Sequence, residues 1–117
     1  MRKTTKAEYK RFTNSLSEWC SKLHLGCWDV TVCHIRGSEG AYASVSCDLD
    51  TMTALVIFNK ELPNGDHNLD FPEQIGKHEA MHILLAEYSN AANSRFTSLS
   101  ELDRHEEKVV LALQRAL

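Results

Sequence analysis

Five consecutive residues carry the densest chemistry in this chain: His78-Glu79-Ala80-Met81-His82. Apolar residues flank them and no helix breaker interrupts them. On an α-helix, side chains four positions apart stack on one face, so both imidazoles reach toward one point. Glu79 follows His78 by about a quarter turn. Two imidazole ligands with a neighbouring carboxylate form the ligand-and-base set of a zinc-dependent peptide hydrolase. Without a metal, burying two imidazoles and a carboxylate would cost several kcal/mol of desolvation. The spacing therefore predicts a metal site, with His78 and His82 as ligands and Glu79 as general base.

A catalytic zinc ion takes three protein ligands and leaves one position open. Position 88, six residues after His82, is Tyr, which excludes a third histidine at that spacing. The last stretch of the chain offers Glu101, His105, Glu106 and Glu107. Glu106 shares helical spacing with Leu102, Val109 and Leu113, so periodicity turns it inward and makes it the favoured third ligand. Glu107 keeps company with Asp103 and Gln114 on a polar face. Tyr88, His67 and His105 are candidate donors to a polarised carbonyl. Asp103 is a candidate acceptor for a ligand's second ring nitrogen.

The elements that must hold these residues follow from period. Residues 5–25 read as a helix, with Phe12, Leu16, Trp19 and Leu23 on one face and Leu25-Gly26 as its stop. Glu8 falls outside that stripe. Residues 28–36 and 41–47 alternate as strands, separated by the turn Gly37-Ser38-Glu39-Gly40. After Asp48-Leu49-Asp50-Thr51, residues 53–59 form a nearly continuous apolar run. These features predict a three-stranded antiparallel meander whose third strand is covered on more than one side. Residues 53–58 are the candidate edge for an extended peptide, and an ordinary core strand reads equally well. A loop over 62–68 leads to a helix over 71–88. Asp70 is its N-cap, Glu73 its capping-box partner, and Ile75, His78, His82 and Leu85 its apolar face. Residues 89–94 break it. A final helix starts near Ser98 or Ser100. The fold class is α+β, with helices packed on one sheet, in a single domain over 1–117.

Composition narrows the function. The chain has 117 residues, 43% of them hydrophobic, and a formal net charge of −3. The basic start Met1-Arg2-Lys3-Thr4-Thr5-Lys6 is too short for a nucleic-acid footprint and reads as a solvated terminus. No apolar run spans a bilayer and the first residues lack the apolar stretch of a secretory signal, so the expected compartment is the cytoplasm. Cys20, Cys27, Cys33 and Cys47 form no C-x-x-C pair, so free thiols are expected.

The ordered set of Leu25-Gly26-Cys27-Trp28-Asp29-Val30-Thr31-Val32, Thr53-Ala54-Leu55-Val56-Ile57, His78-Glu79-Ala80-Met81-His82-Ile83-Leu84-Leu85 and Glu106-Glu107-Lys108-Val109-Val110 resembles small phage and prophage metallopeptidase-like proteins of the gluzincin type. In outline it is similar to minimal zincins and to the protease half of SprT-like and ImmA/IrrE-like proteins. The resemblance implies a zincin-like order of helix, three strands, helix and helix. It also implies Zn2+ as cofactor and a glutamate third ligand on the last helix, with Glu106 and Glu107 both open. The expected partner is a protein or peptide substrate in the host cytoplasm. Two other readings stand beside it: a non-catalytic zinc-binding interaction module, and a metal-free α+β binding protein.

Overall fold

A computed structural model describes residues 2–63, 69–94 and 97–117. Among these, three helices and two small sheets alternate as β1 (Arg2–Lys3), α1 (Lys6–Lys22), β2 (Asp29–Ile35), β3 (Ala43–Asp48), β4 (Thr53–Asn59), β5 (Glu61–Leu62), α2 (Phe71–Asn93) and α3 (Leu99–Ala116). The α+β class is as expected. None of these helices is long and apolar enough to cross a membrane.

The start of α1 is fixed by its own sequence. The Thr5 side chain accepts from the Glu8 backbone N–H, and the Glu8 carboxylate accepts from the Thr5 N–H, which closes a capping box. Arg2 donates to the same carboxylate at 2.6 Å. The chain start is thus not a solvated terminus. β1 pairs with β5, and Glu8 is buried rather than left on a polar face. The predicted stripe of α1 is buried at Phe12, Leu16 and Leu23, with Trp19 half-buried. The helix stops at Leu23, where His24 takes a left-handed φ of 57°.

The three-stranded sheet has the order β2-β4-β3, not the meander that short turns suggest. β2 runs parallel to β4, with Asp29 opposite Thr53, and β3 runs antiparallel to β4. Strand Thr53–Asn59 is therefore central, paired on both sides, and cannot be the peptide-binding edge. Asn59 explains how the chain passes from β2 to β3. Its side chain is buried and fully engaged: Oδ1 accepts from Gly37 N and Glu61 N, and Nδ2 donates to Ser38 O and Ala41 O. The connection over 36–42 is pinned across the end of β4 by three of these bonds, and the fourth holds the start of β5. One face of β4, with Ala54, Val56 and Phe58, packs under the helices. The other face is open, with Leu55 42% exposed, so the expectation of cover on more than one side fails.

α2 crosses α1 at very short range. A Cβ at Gly76 would lie 2.8 Å from Phe12 O and 2.9 Å from Leu16 N. Ser15 Oγ donates to Glu73 O at 2.6 Å beside the same crossing. The expected capping box at Asp70 and Glu73 does not form. Asp70 accepts from Gln74 Nε2 instead, and the Glu73 carboxylate pairs with Arg11. α2 also runs through the expected break at 89–94. Ala91 is buried, and Asn93 Nδ2 bonds back to Ser89 O. α3 begins as expected, with Ser98 capping the Glu101 N–H. All four cysteines are free thiols.

Two outcomes check this account. In Gly76→Ala the gain of about 1 kcal/mol in helix propensity is outweighed by overpacking against α1. Denaturant unfolding should show a net loss of about 1–3 kcal/mol, and a stabilised variant would disprove the close crossing. Burial alone would raise the Glu8 carboxyl, but Arg2 and Thr5 hold it below its ordinary value. The stability it contributes is complete above the ordinary carboxylate range and is lost as pH falls through the lowered folded value. The stability gap between wild type and Glu8→Gln should therefore be constant near neutrality and shrink in acid.

Candidate metal centre

His78, Glu79 and His82 sit in the middle of α2. The Nε2 atoms of His78 and His82 lie 3.1 Å apart, with ring centroids 4.7 Å apart and planes at 79°. Two nitrogens on a tetrahedral zinc ion stand about 3.3 Å apart, so the pair fits two of its positions closely. Both histidines are exposed, as is Leu85 at 38%. The expectation that they share an inward apolar face is wrong. α2 is apolar nearly all round its circumference, so periodicity alone does not choose the buried side. Gly76 chooses it, by facing α1, and Ala80 and Ile83 fall on that buried side.

Glu79 is the buried member, only 4% exposed. Burial raises its carboxyl above the ordinary carboxylate value, while His82 and His78 pull the other way. Ala86 and Asn90 follow it by seven and eleven positions, on the same side of the helix. They line a cleft of about 530 Å³ with Ser46, Cys47 and Asp48 of β3. The carboxylate therefore lies on the side of α2 that meets β3. In the sheet order β3 is an edge strand, and this is the edge that sequence reasoning missed. The alternation of Ser44 and Ser46 with Val45 and Cys47 marks β3 as one-sided but does not fix its place in the sheet.

The remaining candidates are not gathered here. Glu106 is exposed, contrary to its expected inward orientation, and so are Glu101, Asp103 and Glu107. Ala112 is the buried residue of α3, with Leu102, Val109 and Leu113 half-buried. Lys108 Nζ lies 2.9 Å and His105 Nδ1 3.5 Å from Glu87 Oε2, which sets the register of α3 on α2. Glu106 is therefore beside the turn that holds Glu87, five residues beyond His82. Tyr88 and His105 line one cavity with Leu84, Glu87 and Ala112, to which neither histidine of the pair belongs. His67 lies outside the described residues. Among the described residues no third His, Cys, Asp or Glu completes a metal-binding group with the pair.

No family model, no curated protein and no solved structure matches this chain.

Exposure predicts the energetics of the pair. Without metal, His78→Ala and His82→Ala should each change unfolding stability by no more than about 0.5 kcal/mol. With zinc in excess, wild type should melt higher and each variant should lose that gain. Equal zinc-induced shifts in wild type and both variants would place the ion elsewhere.

Proposed function

We propose that the chain is a zinc-dependent peptidase with a zincin-like arrangement. The observation that carries this reading is the 3.1 Å convergence of two exposed imidazole nitrogens beside a buried carboxylate. Exposed rings leave the ion-binding side open to a substrate. The buried carboxylate lies on the adjoining side of the same helix, toward β3, close enough for both imidazoles to act on its charge.

Zinc, when bound, supplies Lewis acidity toward a carbonyl oxygen and toward water. His78 and His82 would hold the ion, and their Nε2 atoms are the pair that converges. Glu79 accepts the proton of the attacking water at its carboxylate and returns it to the leaving amine. Its low exposure keeps bulk solvent from competing for that proton. β3 offers its unpaired edge to an extended peptide, which would run past the Glu79 side of α2. Glu106 is the third ligand that the sequence favours, with Glu107 as its alternative. Glu106 forms no metal-binding group with the pair among the described residues, so its ligation requires α3 to bring it closer.

One observation favours a second reading, a zinc-binding module without catalysis: the described residues supply two ligands and not three. Substitution separates the two. Glu79→Gln should keep zinc content and lower hydrolysis of an unfolded protein substrate by about 10²-fold or more. Unchanged zinc with no hydrolysis by the wild type would favour the binding module. Glu106→Ala should weaken zinc about tenfold or more if that carboxylate ligates, and leave it unchanged if it stays on the surface.

A further inference from the structure

The geometry points to a binding site for a small phosphate-bearing anion in the cavity framed by Lys3, Lys6, Arg36 and Lys60. The cavity measures about 750 Å³. That is the size of a small-molecule site. Its floor is built from Tyr9 and His34, whose rings stack at 4.7 Å and 8°. Glu61 is the acidic residue of the lining, and it already faces Arg36 at 3.5 Å. Lys3, Lys6 and Lys60 are exposed, and among the described residues none makes an ion pair.

This concentration runs against the chain as a whole, whose net charge is −3. Lys6 is also the first residue of α1. A cation there opposes the positive end of the helix dipole, and the same end adds to the positive field of the cavity. Four cations around one concavity, without a counter-charge of equal size, form an anion receptor. Three lysines act as compact point charges, which suits phosphoryl oxygens, and one arginine adds a planar fork. The cations surround a pocket and do not track a stripe, which disfavours a nucleic-acid strand.

His34 supplies a local reporter. Its Nε2 lies 2.6 Å from Thr4 Oγ1, and that hydroxyl also lies 2.9 Å from Asn59 O. The single hydroxyl proton goes to the carbonyl, so His34 Nε2–H is the donor to Thr4. The opposite ring nitrogen is left as the atom that responds to charge in the cavity. Burial and Lys60 together lower the pKa of His34, against a raising contribution from Glu8, which is itself bonded to Arg2.

The test is titration of the whole chain with inorganic pyrophosphate at low ionic strength, followed by calorimetry and by the ring signals of His34. Saturable 1:1 binding is expected, with the His34 signals shifting and citrate binding several-fold more weakly. Lys60→Glu should weaken pyrophosphate about tenfold or more, the range of a lost charge-assisted contact, while Arg104→Glu should not. Lys6→Glu should also weaken it, yet melt no lower than wild type, because a first-turn carboxylate suits α1. His78→Ala should bind normally, since the site is separate from the proposed metal centre. Absence of saturable binding, equal binding of citrate, equal loss in Arg104→Glu, or loss in His78→Ala would each overturn the assignment.

Discussion

The crossing of α1 and α2 depends on the hydrogen atom that residue 76 carries in place of a side chain. With Phe12 O and Leu16 N this close, the two helix backbones meet without a layer of side chains between them. That contact fixes the rotation of α2 about its own axis. Ala80 and Ile83 turn inward, Glu79 falls toward β3, and His78 and His82 are left facing out. A different rotation would bury the imidazoles and expose the carboxylate. The exposure pattern of the histidine pair is thus decided on the side of the helix that meets α1, by Gly76.

What could be read from the chain alone follows a physical divide between local and non-local information. The buried stripe of α1 and the starting positions of α2 and α3 are local properties and match expectation, although the capping box expected at Asp70 and Glu73 does not form. The run Thr53–Asn59 is legible as a strand because its residues are apolar and β-branched. Its central position is not, because strand order depends on a crossover held by Asn59, whose four bonds reach both neighbouring connections. The histidine pair is legible because four-residue spacing alone brings its nitrogens together. The expected inward face of α2 fails because that helix is apolar on nearly every side. The inward orientation expected of Glu106 fails similarly: it shares spacing with half-buried residues, but α3 is a surface helix whose narrow contact side is centred on Ala112.

Charge is distributed with the same economy. The chain start is drawn into the fold because Arg2 neutralises the carboxylate that caps α1, and β1 completes a small sheet with β5. The same fold brings Lys3, Lys6 and Lys60 to one concavity. Residues far apart in sequence are made neighbours by a two-residue strand pairing. The proposed metal centre, by contrast, draws its two histidines and its base from a single helix turn.

The mixed sheet has a consequence for the order of assembly. β3 and β4 are joined by a short turn, with Asp48 opposite Thr53. β2 must find β4 across everything between them, with Asp29 opposite Thr53. Loop-closure entropy rises with the length of chain enclosed, so the hairpin is the cheaper contact to form. β2 then docks on the free side of β4, which brings Gly37 into place for Asn59 to complete its set of bonds. The asparagine acts as a latch on the three-stranded sheet, holding in place the member of that sheet with the higher entropic cost to recruit.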